Sequence, residues 1–183
     1  MNRRTLAMLA VAVLLLAGCS SSDTAGLRLP ECGEKGNNTT FLMAQAVPDA
    51  TLVPCIASGA MPASWSVERM RIDSAGAHLA FVGDMTGAAP QRVEVLFNGS
   101  CDVTGAVPVP SDERGTERFE RVESLDAGYV GQRSYVFDGG CVRYRFNSHA
   151  ERWSTFVYDA SIVWTFMPRA EVVRLRNIAL GPP

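Results

Sequence analysis

The N-terminal segment constrains the fold of this chain most, because it predicts the compartment in which the remaining residues fold. Arg3 and Arg4 give a positively charged start, and an uncharged, mostly aliphatic run follows from Leu6 to Ala17. This order is typical of a secretory signal that is removed from the mature protein. The run is shorter than the roughly 20 apolar residues that a membrane-spanning helix needs. We therefore predict that residues 1–18 are a signal peptide and that the mature chain is exported.

The end of this segment, Leu16-Ala17-Gly18-Cys19, resembles the lipobox of bacterial lipoproteins. The resemblance implies that the Cys19 thiol is lipidated and that cleavage leaves Cys19 as the first residue. Two or more acyl chains hold a protein stably at a bilayer, whereas one binds reversibly. The alternative is an ordinary secretory signal in which Cys19 is incidental. The lipobox predicts a location on the extracytoplasmic face of the cell membrane. The small, polar residues that follow predict a flexible tether over residues 19–28, and the remaining length predicts one globular domain over residues 29–183.

The remaining cysteines bear on both disulfides and metal binding; they are Cys32, Cys55, Cys101 and Cys141. An even number of cysteines in an exported chain predicts disulfides. Of the three possible pairings we favour Cys32–Cys55 with Cys101–Cys141, because each bridge then closes a moderate loop within one half of the chain. Zinc is the alternative, but zinc-binding cysteines usually come in close pairs such as C-x-x-C, which this chain lacks. We predict no metal and no cofactor. The globular part resembles small actinobacterial lipoproteins with paired cysteines, a resemblance that implies no functional residues.

The net charge argues against one class of partner. The chain has 17 basic residues, which fall to 15 without Arg3 and Arg4, against 19 acidic residues, so the mature net charge is −4. A protein that binds nucleic acid needs a concentrated basic surface. We therefore expect no nucleic-acid partner and no electrostatic attraction to anionic lipid beyond the covalent anchor.

Hydrophobic periodicity predicts an antiparallel sheet. A short helix over 41–46, ended by Pro48, precedes an apolar run over 52–56. Alternating segments follow over 65–72, 77–82 and 91–98. The strongest hairpin signal is Asp138-Gly139-Gly140, since alternating aromatic and β-branched residues flank it on both sides. Residues 102–116 are typical of a surface loop, and 116–124 are ambiguous between helix and strand.

The C-terminal part predicts the main helix. Ser148-His149-Ala150-Glu151 fits a capping box, and apolar residues then recur at helical spacing from Trp153 to Met167, before Pro168. The β-branched residues in this stretch leave a strand as the alternative. We predict a last strand over Glu171–Ile178, paired in parallel with the second hairpin strand through a right-handed crossover. The predicted fold class is α+β, a mostly antiparallel sheet packed by one main C-terminal helix and stapled by disulfides.

Candidate catalytic residues are few. His78 and His149 are the only histidines, and neither lies near a recognisable nucleophile motif. Motifs such as G-x-S-x-G and H-E-x-x-H are absent from the sequence. Paired carboxylates can hydrolyse glycosides, but arginines interspersed among them predict a solvated, mutually compensated face. These carboxylates are Asp112, Glu113, Glu117, Glu120 and Glu123, and the arginines are Arg114, Arg118 and Arg121.

The stripe from Trp153 to Met167 supports two functional hypotheses. If the stripe packs into the core, it binds no ligand, and this is the simpler interpretation of an amphipathic helix. In several mycobacterial lipoproteins helices over a curved sheet enclose lipid chains, and this chain is similar to them in anchor and size; Trp153, Phe156 and Trp164 would then line an apolar site. We predict a membrane-anchored, non-enzymatic binding or accessory lipoprotein that assists another envelope protein. A carrier of an apolar ligand or lipid is the alternative, and an envelope hydrolase comes third.

Overall fold

The computed structural model describes residues 27–33, 38–83, 91–126, 128–149 and 153–180. The predicted signal peptide, Cys19 and most of the predicted tether lie outside these residues. None of the helices within the described ranges is long and apolar enough to cross a membrane.

The main sheet has seven strands and is not closed. Its strands, in chain order, are β2 (Trp65–Asp73), β3 (Gly76–Gly83), β4 (Gln91–Asn98), β5 (Val107–Val109), β6 (Glu117–Ser124), β7 (Tyr129–Phe137) and β8 (Gly140–Ser148). Their spatial order is β2-β3-β4-β8-β7-β6-β5, and every neighbouring pair is antiparallel. The predicted Asp138-Gly139-Gly140 turn joins β7 to β8, with Phe137 opposite Gly140.

Three helices and a small second sheet accompany the main sheet. The helices are α1 (Asn38–Ala46), α2 (Trp153–Val163) and α3 (Arg169–Leu180). The second sheet pairs β1 (Leu52–Ile56) with β9 (Trp164–Pro168), antiparallel. The short helix predicted before Pro48 is confirmed and ends at Ala46, so that one residue, Val47, separates it from the proline.

The core lies between one face of the main sheet and these covering elements. Alternation along β4 buries Val93, Val95 and Phe97 on that face, while Arg92, Glu94 and Leu96 point to the opposite face. The covering elements contribute fully or nearly fully buried side chains from α1, β1, α2 and β9, which include Met43, Val53, Phe156, Val163 and Trp164. The core is therefore one cluster shared by both layers.

The predictions for the C-terminal segment are partly wrong. The predicted helix ends at Val163, because the next five residues form β9 and pair with β1. The predicted last strand over 171–178 is helical. Its buried residues, Val172 and Leu175, are three positions apart, which is the spacing of a helix rather than of a strand.

The structure also bears on the other predicted elements, in this region and earlier in the chain. The predicted parallel crossover does not form, since β9 pairs antiparallel with β1 and not with β8. Three helices of comparable length, rather than one main C-terminal helix, accompany the sheet. Ser148 ends β8, and Glu151, its partner in the predicted capping box, lies outside the described residues. The ambiguous segment over 116–124 is strand β6, and the predicted loop over 102–116 contains β5.

The structure joins Cys32 to Cys55 and Cys101 to Cys141, the pairing that loop size favoured. The first bridge ties the segment before α1 to β1, where Cys32 N–H also donates to the Ile56 carbonyl at 2.8 Å. The second ties the loop after β4 to the start of β8. Cross-links of this kind suit a small domain in an oxidising compartment, so the disulfides are compatible with an extracellular location.

Gly139 allows the β7–β8 turn to approach the main chain of Asp49 and Thr51, just before β1. It has a φ of 70°, and a Cβ atom there would lie 1.8 Å from the Asp49 carbonyl oxygen. The neighbouring Asp138 carbonyl accepts the Thr51 N–H at 2.9 Å. We therefore expect Gly139→Ala to lower the free energy of unfolding by more than about 3 kcal/mol, since backbone strain of roughly 1–2 kcal/mol adds to a collision with main-chain atoms.

Gly105→Ala is the matched control, because Gly105 has a φ of 75° but open space around its Cβ position. Its free energy of unfolding should fall only by the cost of backbone strain, roughly 1–2 kcal/mol. Urea unfolding of both variants measures the difference. Equal losses would contradict the close approach of Asp49.

Candidate functional site

The face of the main sheet opposite the core carries alternating charged and polar side chains; we call it the outer face. Neighbouring strands place Glu94 of β4 opposite Arg145 of β8, and Arg145 opposite Gln132 of β7. Arg92 lies one pair further along β4. The helices contribute their buried apolar residues to the core on the other side of the sheet, and the side chains of Arg92 and Glu94 on the outer face stay partly exposed.

A groove of about 330 Å³ lies on the outer face across β4, β8 and β7, near the start of β4 and the end of β8. Its polar lining has a mixed charge pattern. Arg92 Nη2 lies 3.0 Å from Glu94 Oε1, and Gln132 Nε2 donates to Glu123 Oε1 at 2.7 Å. Arg145 is exposed, and Asn147 lies beside it in the groove. The groove thus presents guanidinium and amide donors next to carboxylate acceptors, and it can bind a polar ligand that carries both kinds of group.

The loop that follows β4 bounds the outer face at one end. Cys101 fixes this loop to β8, and Arg143 donates from Nη2 to the Asp102 carbonyl at 2.5 Å. Burial lowers the pKa of Arg143, and the nearby Arg145 charge adds to the effect. The second disulfide therefore also positions the surface next to the groove.

His78, one of the two candidate bases, also lies on the outer face. Its Nε2 is 3.7 Å from Glu94 Oε2. Burial lowers the pKa of His78, with Glu94 opposing and nearby arginines reinforcing the shift, so the environment favours the neutral ring. Within the described part of the chain, no serine or threonine hydroxyl is hydrogen-bonded to this pair. His149 is exposed after β8 and contributes nothing to the groove.

A second group of charged residues faces the covering layer; we call it the inner charge cluster. Glu120 on β6 is its centre, because Oε1 accepts from Arg133 Nε at 2.8 Å and from Arg118 Nε at 3.1 Å. Arg118 Nη1 also lies 3.2 Å from Asp112 Oδ2, and the Tyr135 hydroxyl donates to Asp112 Oδ1 at 2.8 Å. The sequence therefore predicted mutual compensation of these charges correctly.

Their predicted exposure is partly wrong. The side chains of Arg133 and Arg118 are only 10% and 17% exposed, because even-numbered residues of β6 face inward beside odd-numbered residues of β7. Glu123 and Arg121 stay on the solvent side, where Arg121 Nη2 donates to Glu123 Oε1 at 3.1 Å. The acidic and basic residues of this segment thus lie on both faces of β6.

The inner charge cluster connects the sheet to the covering layer. Arg133 donates from Nη1 to Ser161 on α2, and the Ser161 hydroxyl donates to the Val157 carbonyl at 2.8 Å. Glu113 hydrogen-bonds with Thr165 on β9. Both contacts join polar atoms that would otherwise be desolvated without partners, which explains why charged residues are tolerated at this depth.

The environment moves the pKa values of the two adjacent carboxyls in opposite directions. Burial opposes ionisation of Asp112, but the Tyr135 hydrogen bond and the Arg118 charge hold its pKa below the ordinary value. Burial, together with the Asp112 charge, raises the pKa of Glu113. Such a pair could divide acid and base roles. The adjoining cavity measures only about 10 Å³, the space of one water molecule, so the cluster as it stands has no room for a substrate.

The three aromatic residues proposed to line an apolar site have packed partners. Phe156 lies 5.1 Å from Trp65 between ring centroids, and Trp164 lies 5.7 Å from Phe81 in an edge-on contact. Trp153 stacks on Tyr129 at 5.1 Å. Phe156 and Trp164 belong to the main core, whereas Trp153 packs against it while partly exposed. That these residues line a ligand site stays a prediction.

The described residues contain no group of histidine, cysteine or acidic side chains that could hold a metal ion. No protein family, curated protein or solved structure matches this chain. The groove and the inner charge cluster are therefore interpreted from their own chemistry alone.

Proposed function

We propose that this protein is a lipid-anchored, extracytoplasmic binding protein that holds a polar segment of another envelope protein on its outer face. The groove is the observation that carries the proposal. It is preformed on a sheet that the covering layer supports from behind, and rigid strands present its side chains. Protein interfaces are enriched in arginine, which donates up to five hydrogen bonds from one planar group.

The composition of the groove favours a polypeptide over an apolar ligand. Small-molecule pockets are lined mainly by hydrophobic and aromatic side chains with a few polar groups. Here Arg92, Glu94, Glu123, Gln132 and Arg145 form most of the lining. Alternating donors and acceptors fit the carboxylate, amide and main-chain groups of a peptide, and Arg145 offers its guanidinium at the surface.

The aromatic packing supports this role over that of a lipid carrier. Trp164 and Phe156 fill the space between the layers instead of leaving it to an acyl chain. The anchor itself rests on the Leu16-Ala17-Gly18-Cys19 resemblance, and the disulfides are compatible with it. The proposal thus combines a lipid anchor with a separate binding face.

A photoreactive residue in the groove tests the proposal. With benzoylphenylalanine in place of Gln132, irradiation of intact cells should yield a discrete protein adduct, whereas the same residue in place of Ile162 on α2 should not. Adding Arg145→Glu should reduce the adduct about tenfold or more, because it places a negative charge where a carboxylate of the partner would pair. Immunoblotting against an epitope tag measures the adduct.

Arg114→Glu is the matched control for this test, since Arg114 is also exposed but lies outside the groove. It should leave the adduct unchanged. Equal adducts from the Gln132 and Ile162 positions, or equal losses from the two arginine variants, would contradict binding at the groove.

A further inference from the structure

The last turn of α3 is an apolar tip. Asn177, Ile178, Ala179 and Leu180 are all exposed, and the two large side chains, Ile178 and Leu180, are 60% and 66% exposed. Earlier in the same helix, Val172 and Leu175 are buried. The helix therefore packs on the domain through its first turns and carries two aliphatic side chains in solvent at its end.

This tip lies beside the segment through which the chain enters the described domain. Arg176 donates from Nη1 to Asn38 Oδ1 at 2.5 Å, and its guanidinium lies 5.3 Å from the centre of the Phe41 ring. One residue further, the Thr39 hydroxyl donates to the Arg28 carbonyl at 2.5 Å. The end of α3, the start of α1 and the segment around Arg28 thus meet at one place.

The proposed lipid on Cys19 brings the bilayer to the same place. Seven small or polar residues separate Cys19 from Leu27, and a coil of that length reaches roughly 15 Å. The headgroup region therefore lies within reach of the tip. Two aliphatic side chains hold a protein at a membrane only weakly, but a covalent anchor raises their local concentration at the surface.

We propose that Ile178 and Leu180 insert into the interfacial region of the bilayer that holds the Cys19 acyl chains. The inference rests on the proposed lipid anchor and adds a second, orienting contact. Because α3 packs with α1, β1 and β9 on the covering side of the main sheet, this contact turns the outer face away from the membrane. The groove is then open to a partner in the extracytoplasmic space.

Lipid photolabelling tests the contact on the complete lipidated protein. The protein is extracted from membranes and reconstituted into phosphatidylcholine vesicles that contain a diazirine-bearing phosphatidylcholine. After irradiation and digestion with trypsin, cleavage at Arg176 isolates the tip as the peptide from residue 177 onward. We expect this peptide to carry at least about fivefold more label than the peptide over 153–169. That second peptide is a matched control, because Tyr158 and Ile162 on α2 are similarly exposed.

Paired variants separate this proposal from the anchor. Ile178→Asp with Leu180→Asp should remove the label from the tip while the protein still floats with vesicles, and Tyr158→Asp with Ile162→Asp should leave the label in place. All four side chains are exposed, so we expect both double variants to fold. Floating protein with an unlabelled tip, or with equal label on both peptides, overturns the membrane contact alone. If the protein carries no lipid and does not float, the result overturns the proposed lipid anchor and, with it, the proposed membrane contact.

Discussion

Replacing Trp164 with alanine should lower the free energy of unfolding by about 3–5 kcal/mol. The side chain is only 3% exposed and packs edge-on against Phe81, with Tyr144 at 6.4 Å between ring centroids. Truncation removes the transfer free energy of a large aromatic group and leaves a cavity between the two layers. Urea unfolding at pH 7 measures the loss.

Trp153→Ala is the matched control, because Trp153 stacks on Tyr129 but remains partly exposed. This variant should lower the free energy of unfolding by roughly half as much or less, because Trp153 removes less apolar surface from water on folding. A lipid carrier predicts a different result, since residues that line an open cavity already lack some packing partners. Near-wild-type stability of Trp164→Ala, with co-purifying lipid lost in mass spectrometry, would overturn the core assignment.

Replacing Glu120 with glutamine should lower the free energy of unfolding by about 2–3 kcal/mol at pH 7. Loss of one partner from a fully buried ion pair costs about 3–5 kcal/mol, and the partial exposure of Glu120 reduces this figure. Two largely buried guanidinium groups, those of Arg118 and Arg133, would lose the carboxylate they share. Glu123→Gln on the same strand should cost less than about 1 kcal/mol, because its ion pair with Arg121 lies on the solvent side.

The effect of Glu120 should depend on pH. Burial opposes its ionisation, but the hydrogen bond from Arg118 and the charge of Arg133 lower its pKa in the folded state. A carboxyl with a lowered pKa stabilises the fold fully above its unfolded pKa of about 4.3, and this contribution disappears as pH falls through the folded value. The gap between wild type and Glu120→Gln should therefore narrow from pH 7 to pH 3. A constant gap would contradict the ionic role of Glu120.

The sequence predicted local structure best where a single signal decided it. The Asp138-Gly139-Gly140 turn joins two strands as expected, and the alternating segment over 91–98 is strand β4. The segment from Trp153 to Pro168 was harder, because the spacing of its apolar residues fits a helix up to Val163, whereas pairing with β1 decides the remainder. That pairing is a tertiary contact with distant residues, and no local pattern contains it.

The candidate sites were hard to predict for the same reason, because they also form through contacts between residues that are distant in the sequence. The charge run over 112–123 appeared uniformly solvated, because its pairing with β7 was not visible from the run itself. Arg133 was missed altogether, although it alternates with Tyr135, and an arginine in phase with aromatic residues was the available signal. Arg145 alternates with the aromatic residues of β8 and therefore lies on the solvent face, but the groove forms only when β8 lies between β4 and β7.

Lipidation of Cys19 is the central claim, because both the location of the protein and the orientation of its binding face follow from it. Intact mass and N-terminal peptide mass spectrometry of the protein extracted from native membranes test this claim most directly. We predict a mature chain that begins at Cys19 and carries acyl groups, and a Cys19→Ala variant that is unprocessed or released into the soluble fraction. An unmodified Cys19, or equal fatty-acid labelling of wild type and Cys19→Ala, would contradict it.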